Sequence, residues 1–167
     1  MILMKSCGLF KRLLNVREDF VSLFMQLFLG GMMIGLTVMI HAIALDFIMK
    51  HARFAEAIIR VVFKSLWRPV MASVIVVSVF VSHIVQIWLW AFLYVTVDAQ
   101  SLTNFSETLY FATVTYTTLG YGDVTLNPSF RMLSAIEGAN GFLLFGWTTA
   151  FIFEVIAQLY EEEAKEL

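Results

Sequence analysis

The 167-residue chain is 60% hydrophobic and only 14% charged, with a mean hydropathy of +0.82. This excludes an ordinary soluble domain, in which about a quarter of residues carry charge, and points to a bilayer. The formal net charge is −2, and the basic residues lie beside apolar spans, which excludes a nucleic-acid patch and bears instead on membrane topology. Cys7 is the only cysteine, so no intrachain disulfide framework is available. Only Met1 to Met4 precede Lys5, too little apolar sequence for a lipid-anchor site at Cys7, and no small-residue cleavage site follows. The first apolar span is read as a retained helix.

Residues 1 to 19 interleave Lys5, Lys11, Arg12 and Arg17 with Leu9, Phe10, Leu13, Leu14 and Val16, the pattern of an interfacial lead-in. From Phe20 to Met49 the chain is apolar except for Gln26, His41 and Asp46. Thirty helical residues run ~45 Å against a ~30 Å hydrocarbon core, so this span tilts, breaks near Gly30-Gly31 or projects beyond the bilayer. His41 and Asp46 are costly inside a membrane, but five residues apart they do not share a helix face, and Asp46 is near enough to the end to reach the headgroups. Lys50 to Pro69 carries Arg53, Arg60, Lys64 and Arg68 among Phe54, Ile58, Ile59, Val62, Phe63 and Leu66, predicting an amphipathic surface helix with a phosphate-facing stripe. Its basic residues are seven, four and four apart, not the every-third arginines of a voltage sensor.

Pro69 opens a second span, residues 70–97, because proline suits a first helical turn. Trp88, Trp90 and Tyr94 near its far end predict an aromatic belt, and His83 and Gln86, about a turn apart, predict interhelical hydrogen bonds. After a polar linker, Asn104 with Glu107 gives an N-cap. The following twelve residues, Phe105 to Tyr116, are too short to span and fit a re-entrant half-helix. The negative end of its dipole points at the next segment and favours a cation there, with the β-branched Thr113, Val114, Thr115, Thr117 and Thr118 expected to pack and hydrogen-bond behind it. That segment is Thr117-Thr118-Leu119-Gly120-Tyr121-Gly122-Asp123. Glycines alternating with larger residues let successive carbonyls turn one way, a backbone suited to dehydrated cations. Asn127 and Pro128 mark the turn into a last span, residues 131–159, containing Gly138, Gly141 and Gly146, and the chain ends in an acidic tail, 161–167. No internal repeat or ligand-binding domain is found.

Thr118, Leu119, Gly120, Tyr121 and Gly122 resemble the Thr-x-Gly-Tyr-Gly selectivity filter of potassium channels, with Leu119 at the place of the commoner valine. Helix, half-helix, filter and helix over residues 70–160 resemble the two-helix pore module of that superfamily. With the additional segment 1–69, the chain is similar to small three-helix bacterial potassium channel proteins, which have close counterparts of Ile87-Trp88-Leu89-Trp90 and Gly146-Trp147-Thr148-Thr149-Ala150-Phe151.

This resemblance implies an all-α membrane protein with three transmembrane helices, a re-entrant pore half-helix and a filter loop, assembled as a homotetramer because one chain supplies only one wall of the filter. It implies K+ as the permeant ion, held by the carbonyls of Thr118, Leu119, Gly120 and Tyr121 and the Thr118 hydroxyl, with Gly122 and Asp123 at the outer mouth. Some relatives pair this aspartate with an acidic residue at the position of Val114, so that brace is missing here. Gly141 matches the inner-helix hinge glycine. Helical steps from it bring Phe145, Thr149 and either Ile152 or Phe153 to one pore-lining face, the last two as a lower constriction. No enzymatic activity, prosthetic group, nucleic acid or soluble substrate is implied, and membrane lipid is the other partner.

The family's orientation puts the C-terminus in the cytoplasm and the N-terminus outside the inner (plasma) membrane. Four basic residues in 1–19 against five in 50–68 support that only weakly. The alternatives are a poorly selective monovalent cation channel and, from another class, a haem-binding electron-transfer protein using His41 and His83, whose depths in their spans disagree by ~10 Å.

Overall fold

The computed structural model describes the backbone of residues 2–98, 102 and 104–166, and the side chains of residues 22–98, 102 and 104–161. Four helices account for nearly all of it: α1 (Ile2–Phe63), α2 (Trp67–Val97), α3 (Phe105–Tyr116) and α4 (Arg131–Glu166). Among the described residues there is no strand.

α1 corrects the expectation of three separate pieces. It is one unbroken helix of 62 residues, ~93 Å long at 1.5 Å per residue. Its sequence contains no proline, and a glycine costs only about 1 kcal/mol in a helix interior, so nothing at Gly30-Gly31 forces a break. Gly30 serves packing instead, since a Cβ there would lie 2.7 Å from Cδ1 of Ile136 on α4.

The chain reverses at Lys64, whose φ of 41° is a left-handed conformation costing a non-glycine residue about 1 to 2 kcal/mol. A single-turn 3-10 helix, Lys64–Leu66, then leads into α2, with Pro69 in its first turn. The two arms run antiparallel: Ile59 packs against Met71 and Ile75 near the reversal, and His41 meets Ser82 and Gln86 further along. The predicted surface helix over 50–69 is therefore the end of α1, the turn and the start of α2. Its basic stripe is partly folded inward. Arg60 binds Glu56 at 2.7 Å and lies 4.0 Å over the Trp67 ring, and Arg68 sits between Trp67 and Tyr160 of α4. Among the described residues, two helical stretches are long and apolar enough to cross a membrane, Ser22–Val97, which is this hairpin, and Pro128–Glu161.

The main core lies around α3. Trp90 and Tyr94 are wholly buried there with Phe111, Tyr116, Leu133 and Leu144, and Tyr94 meets Phe111 edge-on at 5.2 Å. The expected aromatic belt is thus reduced to Trp88, which is exposed and packs against Phe92 and Phe105. Residues 90 and 94 share a face that 88 does not, and in a helix apolar all round the pattern does not say which face is inside.

α1 also braces α4. Gln26 Oε1 accepts the Met132 backbone N–H at 3.1 Å, satisfying one of the donors left open at a helix start. Asn140 donates to the Thr37 hydroxyl at 2.9 Å. α4 continues helically through Glu166, so the acidic residues expected as a tail prolong that helix.

Candidate functional site

The site is built on the end of α3. Asn104, in extended conformation, accepts the Glu107 backbone N–H at 2.9 Å, the predicted N-cap, and twelve residues later the helix stops at Tyr116. Its last carbonyls bind the loop that follows: Thr117 N–H donates to Thr113, Thr118 N–H to Thr115 and Gly120 N–H to Val114, at 3.0, 2.9 and 3.0 Å. The Thr117 hydroxyl adds a bond to the Thr113 carbonyl at 2.7 Å. The loop is therefore suspended from the negative end of the helix dipole.

Beyond that suspension the backbone alternates. Thr118, Gly120 and Gly122 have φ of 62°, 52° and 78°, and neither Leu119 nor Tyr121 between them has a positive φ. Residues of alternating hand turn successive peptide groups to a common side, as in the concave nests that bind ions. Thr118 holds this conformation without being glycine, which marks a constrained position. All residues from Thr118 to Asp123 are exposed in the single protomer, with Leu119 and Tyr121 at 59% and 69%.

Two hydrogen bonds hold the far end of the loop. The Tyr110 hydroxyl donates to Asp123 Oδ2 at 2.8 Å. That bond holds the Tyr110 phenol above its ordinary pKa, because ionisation removes the shared proton. Val114 is buried, so Tyr110 supplies the brace that the sequence lacks there. Further on, the Asn127 backbone N–H donates to Asp98 Oδ2 at 2.7 Å, tying the return to α4 onto the end of α2.

Below the loop, α4 meets the end of α3 through its glycines. A Cβ on Gly141 would sit 2.0 Å from the Tyr116 carbonyl oxygen, and one on Gly138 3.4 Å from that of Thr115. Gly141 is thus a point of close approach in a continuous helix. Phe145, next along, packs against Tyr116 and His83. Thr149 and Phe153 are exposed, and Ile152 is half-buried.

His41 and His83 stand together, with ring centroids 5.1 Å apart. This corrects the expected difference in depth, which assumed that the first span ends near Met49; α1 runs on to Phe63, so His41 lies level with the middle of α2. Both Nε2 atoms reach the Thr148 hydroxyl, at 3.2 and 2.8 Å. The expected interhelical bonding of His83 and Gln86 is present, His83 to Tyr116 and Thr148, Gln86 to His41 and Tyr116.

Sequence reasoning passes over Tyr110, Tyr116, Thr148 and Glu137. Glu137 is wholly buried and accepts the Tyr94 hydroxyl at 2.6 Å. Its signal was present, an ionisable group inside an apolar span, which is retained only with a partner.

No curated protein and no solved structure matches the chain. A family model described as "Ion channel" matches residues 70–158, more than half of the 167 residues, and takes in most of α2, all of α3 and the suspended loop, and most of α4. With its long apolar helices, this is a membrane protein. The chain belongs to the ion channel family, and residues 70–158 form a pore module of the potassium channel superfamily.

Proposed function

We propose that this protein is a potassium-selective channel, a homotetramer in which four copies of the Thr118–Asp123 loop surround one axis. The alternation of left-handed residues at Thr118, Gly120 and Gly122 carries this reading. Carbonyls of Thr118, Leu119, Gly120 and Tyr121, with the Thr118 hydroxyl, replace the hydration shell of K+. Asp123, oriented by Tyr110, concentrates cations at the outer mouth. Conduction is passive and requires no chemical transformation or prosthetic group.

α1, α2 and α4 each cross the inner (plasma) membrane once, which leaves the N-terminus outside and the C-terminus in the cytoplasm. Lipid covers the outward apolar faces. Residues 1–69 are the additional helix, 70–160 the pore and 161–167 its acidic extension. Gly141, Phe145 and Thr149 support or line the cavity below the filter, and rings of Ile152 or Phe153 narrow it by dewetting.

The test is flux into liposomes. Wild-type protein is expected to pass potassium and rubidium far better than sodium, and Tyr121→Asp to lose that discrimination. Equal sodium and potassium permeation by the wild type would overturn selectivity and leave a non-selective cation channel. For topology, a cysteine at position 5 on a Cys7-free background is expected to react with an impermeant thiol reagent in intact cells, and labelling only after permeabilisation reverses the assignment.

A further inference from the structure

Five buried polar side chains, drawn from all four helices, close a ring of hydrogen bonds beneath the filter. Gln86 Nε2 on α2 lies 3.1 Å from His41 Nδ1 on α1, and His41 Nε2 lies 3.2 Å from Thr148 Oγ1 on α4. The same hydroxyl is 2.8 Å from His83 Nε2 on α2, and His83 Nδ1 is 3.0 Å from the hydroxyl of Tyr116, the last residue of α3. Tyr116 donates to Gln86 Oε1 and completes the circuit. All five side chains are at most 9% exposed.

The donor count decides the protonation state. A neutral imidazole has one N–H and one acceptor nitrogen, each hydroxyl one proton and an acceptor oxygen, and the amide one donor and one acceptor for this purpose. Five protons then fill five hydrogen bonds in one direction, Gln86 to His41 to Thr148 to His83 to Tyr116 and back to Gln86. With the Gln86 amide reversed, the same ring runs the other way and every hydrogen bond is kept. A proton added to either imidazole gives six protons for five positions. Thr148 Oγ1 must then accept from both imidazoles and turn its own proton out of the ring, or His41 Nδ1 must turn to Ser82 Oγ, 3.3 Å away; either way the one-way circuit opens and a charge is left in a buried site, which is costly.

The ring holds the residue on which the filter stands. Tyr116 is two positions before Thr118, and its carbonyl rests on Gly141, so its side chain and backbone are both clamped. His41 lies on α1, outside the matched residues 70–158. We propose that His41, His83, Gln86, Tyr116 and Thr148 are positioning residues for the conducting filter, and that protonation of either imidazole releases Tyr116 and lowers conduction. This rests on the channel reading above.

The titratable groups facing the ring are few. His41 and His83 face each other, Tyr116 faces both from α3, and from α4 come the neutral Thr148 and Trp147 together with Glu137, which is bonded to Tyr94. Asp46, also on α1, is exposed and ion-paired with Lys50 at 2.6 Å.

The reconstituted protein tests this by rubidium flux, with both faces buffered alike at about pH 7.5 and then at about pH 4, well below the ordinary imidazole value, as the cost of a buried charge requires. Wild-type flux is expected to fall about tenfold on acidification, the factor corresponding to one lost buried hydrogen bond. Thr148→Val keeps the side-chain shape but breaks two of the ring's hydrogen bonds, so its flux is expected to be low at both pH values and independent of pH. Thr148→Ser restores the hydroxyl and is expected to recover both the flux and its pH dependence. If Thr148→Val fails to assemble, Tyr116→Phe, which keeps the ring volume, is read in its place. Wild-type flux unchanged by acidification, or a hydroxyl-deleted variant with wild-type flux and pH profile, overturns the proposal. A wild type that passes sodium as well as rubidium is a failure of the selectivity reading instead, and is seen at the higher pH before any variant is compared.

Discussion

Replacing Gly141 by alanine sets two opposed effects against each other, and the structure says which wins. An alanine in a helix interior is favoured over glycine by about 1 kcal/mol. At this position the added Cβ would lie 2.0 Å from the Tyr116 carbonyl oxygen and 2.9 Å from its carbonyl carbon. A carbon and an oxygen approach to about 3.3 Å, so α4 and the end of α3 must part by roughly 1.3 Å. The obstructing atoms are backbone, and no rotamer change relieves them, which puts the overpacking cost near the upper end of the ~1 to 3 kcal/mol range. The net loss is about 2 kcal/mol per protomer after the helical gain is subtracted. Thermal melting in detergent is expected to fall by about 4 to 8 °C for a chain of this size, and potassium flux is expected to fall with it because in the channel proposed above Tyr116 carries the filter. Gly31→Ala is the control: nothing lies within 4 Å of its Cβ position, so it should melt at or slightly above the wild type. A Gly141→Ala protein with wild-type melting and flux would refute the close-packing argument.

Three further predictions concern the loop and its supports. Gly122→Ala meets no neighbouring atom within the protomer, so at its φ of 78° the cost is backbone conformation alone, about 1 to 2 kcal/mol; liposome flux should be abolished by four such strained copies, and normal flux would contradict the left-handed assignment. Asn104→Ala removes the cap on α3 and should cost about 1 kcal/mol, measured as a lower melting temperature, with Asn104→Asp near wild type; equal melting of alanine and wild type would deny the cap any energetic role. The Tyr110 bond to Asp123 raises the phenol's pKa, so the protonated, bonded form persists through neutral pH and is lost as pH rises past the ordinary phenol value of about 10. The alkaline ultraviolet difference between wild type and Tyr110→Phe should therefore contain one tyrosine titrating above that value, and a normal titration would show that the bond does not form in the assembled protein.

Much of this architecture follows from local chemistry and was legible in the sequence. The half-helix was, because Asn104 supplies a cap, twelve residues cannot span a bilayer, and a glycine pair follows. The backbone of the loop after it was, because the positions that need φ > 0 include two of the rare residues for which φ > 0 is cheap. The membrane class was, because hydropathy is additive along the chain.

Other features depended on which face of each helix turned inward. Helices apolar on every side carry no moment that selects one, so Trp90 and Tyr94 gave no sign that they build the core while Trp88 remains outside. α1 gave no sign of its full length, since a helix without proline ends only where its surroundings end it. Partnerships such as Tyr110 with Asp123, Gln26 with the start of α4, and His41 with His83, Tyr116 and Thr148 join residues distant in sequence. A polar group inside an apolar span announces that it needs a partner, because burying it alone is too costly. Only the packing of α1 and α2 into a hairpin against α3 and α4 decides which partner it finds.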